Sequence, residues 1–165
     1  HMEYSSPQFN IKTGMDYFIN DKTTIGFVVS GYQSTNKNTS ASYITLKDAN
    51  NVTDSLVNTF GNTSGKWQSG SVNLNFMRKF DSLGTEITAD ADYVRYNSKD
   101  DQHYLNLTYD PDMQPIDQTV LTGNLPSVID IYSFKTDDTH PFKNDLKLEA
   151  GLKTSYVATD NQANY

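Results

Sequence analysis

The most constraining feature of this sequence is a two-residue alternation sustained over unusually long runs. From Leu146 to Tyr156, Leu146, Leu148, Ala150, Leu152, Thr154 and Tyr156 alternate with Lys147, Glu149, Gly151, Lys153 and Ser155. The stretch from Phe9 to Ile19 does the same: Phe9, Ile11, Met15, Tyr17 and Ile19 fall on one parity, and Asn10, Lys12, Gly14 and Asp16 on the other. A period of two is the signature of a β-strand with one apolar and one wet face. Soluble strands average about five or six residues, and these runs are twice that. The apolar face must be covered either by a protein core or by lipid.

Turn signals divide the chain into six expected strands: Gln8 to Ile19, Thr23 to about Gln33, Trp67 to Phe80, Glu86 to about Asn97, Ser127 to Thr139 and Leu146 to Thr159. Short turns are expected at Asn20-Asp21-Lys22, at "DSLGT" with Gly84 in positive φ, and at "HPFKND". Two polar stretches, 34–66 and 98–126, read as long loops, the first with strand extensions around Tyr43 to Leu46. Pro111, Pro115 and Pro126 fall in the second and argue against a central strand there. The fold class expected is therefore all-β: an antiparallel meander of about six strands in three hairpins, with short turns at one end and long loops at the other.

The chain's 165 residues carry a net charge of −7 and no cysteine. Without a basic cluster, nucleic acid is excluded as a partner. Without cysteine, disulfides and thiolate metal sites are excluded, which suits an oxidising compartment. Mean hydropathy is −0.64, and no run of about 18 apolar residues exists to form a transmembrane helix. A transmembrane barrel strand is only half apolar and escapes that test. Tyr (11) and Phe (8) supply most of the bulk, which favours strands. Tyr17, Phe18, Phe80, Tyr93 and Phe142 lie near strand ends, as an interfacial girdle requires.

No catalytic, cofactor or metal residue emerges. His103 and His140 stand without a neighbouring nucleophile or carboxylate pattern. Asp100, Asp101, Asp110, Asp112 and Asp117 crowd one stretch, but not at the spacing of a calcium-binding loop. "GNTSGKWQSG" lacks the order of a phosphate-binding loop. The remaining candidates are aromatic: Trp67, Tyr43, Tyr104 and Tyr109, as ligand-contact platforms on the loops.

Three segments, "GMDYFINDKTTIGF" (14–27), "NFMRKFDSLGTEITADADYVRY" (75–96) and "IYSFKTDDTHPFKNDLKLEAGLKTSY" (131–156), resemble the barrel region of Bacteroidetes outer-membrane proteins of the TonB-dependent-receptor-like class. The resemblance spans all three hairpins. It departs from the family's pattern at Asp138, which shares the parity of Tyr132 and Phe134. It implies the outer membrane of a Gram-negative cell and uptake of a siderophore, glycan or peptide through a barrel closed by a plug.

His1-Met2 reads as a cloning remnant, and residues 3–165 as a partial barrel domain cut from a longer protein. Six strands are too few to close a barrel. The expected partners are outer-membrane lipid and the rest of the barrel with its plug; an isolated fragment would self-associate through its edges. No enzymatic activity and no cofactor are expected. The alternative is a soluble all-β ligand- or glycan-binding module, which would seal Ile25, Phe27, Leu74, Leu148 and Leu152 inside the monomer. A weaker third reading, a hydrolase using the acidic stretch, would rest on Asp110 or Asp112.

Overall fold

A computed structural model describes residues 3–142 and 146–164. The chain forms one antiparallel sheet from β1 (Glu3–Ser5), β2 (Gln8–Asn20), β3 (Thr23–Lys47), β4 (Thr53–Lys79), β5 (Glu86–Tyr109), β6 (Pro115–Pro141) and β7 (Lys147–Asn161). From β3 to β7, each strand pairs with the next in sequence. Strands β1 and β2 both lie along the free side of β3, in one continuous register. They act as a single edge strand interrupted at Pro7, whose carbonyl still accepts the Thr35 amide at 3.2 Å. Proline has no N–H to give a ladder, so an edge is where it is tolerated. The result is six strand positions in a meander, as the alternation implies.

The two expected long loops are not loops. Residues 34–47 and 53–66 extend β3 and β4, and 98–109 and 115–126 extend β5 and β6. The strands therefore run 24 to 27 residues, about 80–90 Å at about 3.3 Å per residue. Their polar composition hid them, because neither face of the extensions is strongly apolar. Both ends of the sheet consequently carry short turns, and the expected contrast in loop length is absent.

The connections 48–52 and 110–114 are built alike. Each opens with an aspartate whose Oδ1 accepts two turn amides: Asn50 and Val52 for Asp48, at 2.9 and 2.8 Å, and Asp112 and Gln114 for Asp110, at 3.0 and 2.8 Å. Each ends in a residue at φ 64°, Asn51 or Met113. This is a three-residue hairpin loop with a left-handed closing position. Asp110 and Asp112 thus belong to a turn, and Pro111 lies inside it. Pro115 is the first residue of β6.

Pro126, deep in β6, is accommodated by direction. Its carbonyl accepts the Gln162 amide at 3.1 Å, so that side of the residue faces β7 just past its last residue, Asn161. The missing N–H points the same way and removes no bond to β5.

At the opposite end, Asn20 Oδ1 caps the Lys22 amide at 2.9 Å, and the turn needs no positive φ. Asp81 Oδ1 gathers the amides of Leu83, Gly84 and Thr85 at 2.9, 3.1 and 3.1 Å. Gly84 sits at φ 100°, as its sequence position implies. Hydrogen bonds from Thr85 first, then from Leu83 and Gly84, hold the Asp81 carboxyl below its ordinary 3.8. Residues 143–145 of the third turn, and His1 and Met2, which the sequence reading set aside, lie outside the described residues.

Two outcomes follow from the turns. Met113→Gly relieves a left-handed non-glycine residue and should raise the stability of the folded protein by about 1 kcal/mol, read as a higher urea midpoint at unchanged slope. Since the Asp81 pKa is lowered on folding, its contribution is complete above about pH 4 and disappears as pH falls through the lowered value. Exchange protection of the Leu83–Thr85 amides, corrected for intrinsic rates, should therefore drop in acid, and Asp81→Asn should remove that pH dependence.

Candidate functional site

The register sorts every side chain onto one of two faces, because directly opposed residues point the same way. One face carries Tyr17–Ile25–Phe76–Ala89–Thr136–Leu152, then Met15–Phe27–Leu74–Ala91–Phe134–Thr154, then Thr13–Val29–Val72–Tyr93–Tyr132–Tyr156. The other carries Asp16–Gly26–Asn75–Asp90–Lys135–Lys153 and Gly14–Val28–Asn73–Asp92–Ser133–Ser155.

Burial runs opposite to that of a soluble sheet. No hydrophobic side chain is buried among the described residues. Asn73, Asn75, Asp92 and Ser133 are half-buried, whereas their neighbours Val72, Leu74 and Phe134 are exposed. A soluble module would seal its apolar face inside. Ile25, Phe27, Leu74, Leu148 and Leu152 are instead 43, 38, 55, 55 and 64 % exposed. That overturns the soluble alternative: the polar face is the sheltered one.

The apolar band is short compared with the strands. On β3 it runs from Thr23 to Gly31, about nine residues, the length that crosses a bilayer in a tilted barrel strand. One border is a tyrosine row: Tyr93 stacks on Tyr132 at 4.9 Å, and Tyr132 lies 6.3 Å from Tyr156. The Tyr93 hydroxyl donates to Asp130 at 2.7 Å, and Arg95 lies 3.7 Å from the same carboxylate. The other border has Arg78 over the Phe80 ring at 5.5 Å and His140 against Phe142 at 4.8 Å. Asp138, opposite Ile87 and Ala150, stands on the apolar face at this border.

The polar face is cross-linked by side chains. Asp92 accepts from Asn73 at 2.7 Å and from Ser133 at 3.1 Å, and Asn75 donates to Asn73 at 3.5 Å. The hydroxyls of Ser30 and Ser71 meet at 2.7 Å. Further along this face, Trp67 and Tyr96 form an aromatic plate, with centroids 5.5 Å apart and planes at 44°. Beside it is a hollow lined by Gln8, Ser34, Asn36, Gly65, Ser98 and Asp100. A Cβ on Gly65 would lie 2.1 Å from Asn36 Oδ1 and 2.5 Å from Asp100 Oδ1. The missing side chain thus lets a carboxamide and a carboxylate converge next to the plate. Such a site can stack a flat or ring-shaped ligand and bind its hydroxyl or amino groups.

Of the four aromatic candidates from the sequence, only Trp67 belongs to this hollow. Tyr104 shares its face but covers Gly61, with Cε1 2.7 Å from the position of a Cβ there, about 20 Å further along β4. Tyr43 and Tyr109 stand on the opposite face. Tyr43 packs edge-on against Phe60 at 6.2 Å. Tyr96 and Asn36 are not singled out by the sequence, and Asp100 is noticed there only as part of the acidic stretch, because nothing but the register brings them beside Trp67. The acidic stretch is likewise dispersed: Asp100 and Asp101 point to opposite faces, and no metal-holding group of three His, Asp or Glu exists among the described residues.

Comparison with known proteins agrees with this geometry. The model of the outer membrane protein β-barrel family matches residues 78–165. Among solved structures, the ferric preacinetobactin receptor BauA from Acinetobacter baumannii superposes with a TM-score of 0.61 at 18 % identity, over 97 % of this chain. The chain spans 26 % of that receptor's length, so the likeness is one of fold, to part of a longer chain. No curated protein matches the sequence.

The Asp92 network yields a direct test. Asp92→Ala leaves Asn73 and Ser133 without their acceptor on a half-buried face and should cost about 1 kcal/mol. Asp92→Asn, which keeps an acceptor oxygen, should cost less, both read from urea unfolding of the full-length protein.

Proposed function

Since the chain belongs to the outer membrane protein β-barrel family, we propose that it forms part of the wall of a TonB-dependent receptor in the outer membrane of a Gram-negative cell of Bacteroidetes type. The receptor takes up a siderophore, glycan or peptide, and this segment does no enzymatic chemistry. The carrying observation is the inverted sheet: an exposed apolar band about nine residues tall between aromatic borders, backed by a sheltered polar face. Lipid covers the first face. The second lines a water-filled lumen, where the plug sits and the ligand passes.

The edges support the same reading. Strand β2 and strand β7 each present a row of backbone groups with no neighbour in the sheet, which lipid cannot satisfy. The remaining strands of the barrel complete them, and in isolation copies of the segment would do so. The strands continue far past the apolar band on the side of the 48–52 and 110–114 turns. In outer-membrane barrels the long extensions are extracellular, which puts the Trp67–Tyr96 hollow on the ligand's entry path.

The reading is tested in two steps on the full-length receptor. Leu74→Arg places a charge in the lipid band and should cost about 2–4 kcal/mol of stability in vesicles, whereas Asn75→Arg, on the lumen side, should be nearly neutral. Equal effects at the two positions would reject the membrane orientation. Deleting the receptor should then abolish growth on one class among ferric chelates, oligosaccharides and oligopeptides supplied as sole nutrient. Growth restored by the wild-type protein only while the proton gradient is intact supports TonB-dependent uptake; unchanged growth on all three rejects it.

A further inference from the structure

The inward face continues past the Trp67 hollow, with a chemistry unlike that of the outward face beside it. Its successive rows are Ser34–Trp67–Ser98, Asn36–Gly65–Asp100, Asn38–Thr63–Gln102, Ser40–Gly61–Tyr104 and Ser42–Thr59–Asn106. Asp100 carries the only charge in these rows. The cations of the same stretch, Lys37, Lys66 and Lys99, all stand on the outward face, where Lys66 is directly opposite Lys99. Every residue directly across from Trp67, or next along its strand on the same face, is small: Ser34 and Ser98 across, Gly65 and Ser69 along. The indole is consequently 40 % exposed in the middle of a sheet. Tyr104 makes a second platform about 20 Å further on, where its ring lies across Gly61 beside Ser40. Asn36, Asp100, Asn38 and Gln102 stand between the two. The hydrogen bonds that tie Asn73, Asp92 and Ser133 together lower on this face have no counterpart among these four in the described residues, so their polar groups are free for a ligand.

This step rests on the reading of the face as a ligand's entry path, and it selects among the three cargo classes. A ferric chelate holds its metal through anionic oxygens and is met by cations, and in these rows no cation faces inward. A peptide offers main-chain donors and acceptors that a free strand edge meets best, whereas this surface is the middle of a paired sheet. A sugar ring lays its C–H face on an aromatic ring, and its hydroxyls both donate and accept, as side-chain amides and a carboxylate require. We propose that this wall binds a neutral, linear oligosaccharide lengthwise along β4. One sugar stacks on Trp67 and another on Tyr104, and the hydroxyls between them bond to Asn36, Asp100, Asn38 and Gln102. Recognition then depends on chain length, because only a ligand that spans both platforms engages the whole track.

The test is calorimetric titration of the full-length receptor in nanodiscs. The probes are disaccharides and hexasaccharides cut from linear glucans, mannans and xylans, with hexagalacturonate, ferric citrate and hexaalanine as the charged, chelate and peptide controls. At least one neutral hexasaccharide should bind, about tenfold or more tighter than its own disaccharide. Trp67→Ala should weaken both lengths, and Trp67→Phe should restore most of the affinity. Tyr104→Ala should weaken the hexasaccharide about tenfold and leave the disaccharide unchanged. If Tyr104→Ala does not insert, Gln102→Ala decides the same point, with a loss of about fivefold for the hexasaccharide alone. Binding of no neutral hexasaccharide, tighter binding of any control, equal affinity for the two lengths, or equal loss at both lengths in the deciding variant would overturn the proposal. The reading beneath it has its own readout. Thr63→Cys should react with a membrane-impermeant maleimide on intact cells, and labelling only after the cells are opened would overturn the entry path itself.

Discussion

The structure depends on the hydrogen-bonded ladder between neighbouring strands. In most domains of this size, burial of apolar side chains holds the elements together. Here no hydrophobic side chain is buried among the described residues, so the chain contributes no core of its own. What the ladder does instead is fix register, and register fixes faces: a slip by one residue would exchange the two faces along a whole strand. With apolar groups on one side and Asn73, Asp92 and Ser133 bonded together on the other, such a slip would put charge among the apolar groups and break the polar network at once. The register is therefore specified twice, from opposite sides of the same sheet.

That arrangement divides the energetic work between protein and surroundings. In the proposed setting, lipid supplies the apolar environment that a core would otherwise supply. Because lipid offers no hydrogen bonds, every backbone group within the band must be paired by another strand. Accordingly all five prolines lie outside the band: Pro7 interrupts the edge strand, Pro111 is in a turn, Pro115 opens β6, Pro126 lies where β7 ends and Pro141 closes β6. Strands β2 and β7 have no neighbour on their outer sides, and in the proposed setting the rest of the barrel would pair them.

The strands run well past the apolar band, and the two faces differ there in chemistry. Past the tyrosine row the outward face turns from apolar to cationic, while the inward face gains Trp67, Tyr96 and the convergence of Asn36 and Asp100 over Gly65. Glycine serves both surfaces by the same device. At Gly70 the missing side chain leaves open space, and at Gly65 it lets two polar groups approach.

The alternation of apolar and polar residues was enough to determine the strand class, the meander, the location of the six strand positions and the residues on the apolar band, because a period of two has one structural meaning. It also placed the Gly84 turn. Of the strand extensions at 34–47, 53–66, 98–109 and 115–126 it indicated only the part around Tyr43 to Leu46, because most of the remaining residues are polar on both faces and only short runs such as Leu105, Leu107 and Tyr109 keep the period. It grouped Tyr43, Trp67, Tyr104 and Tyr109 by residue type, whereas the fold separates them by face and height. Tertiary structure alone decided which residues meet, since Trp67 with Tyr96 and Lys66 with Lys99 lie about thirty residues apart in sequence and become neighbours only through the ladder. Composition shows what a strand can face; only pairing decides what stands beside it.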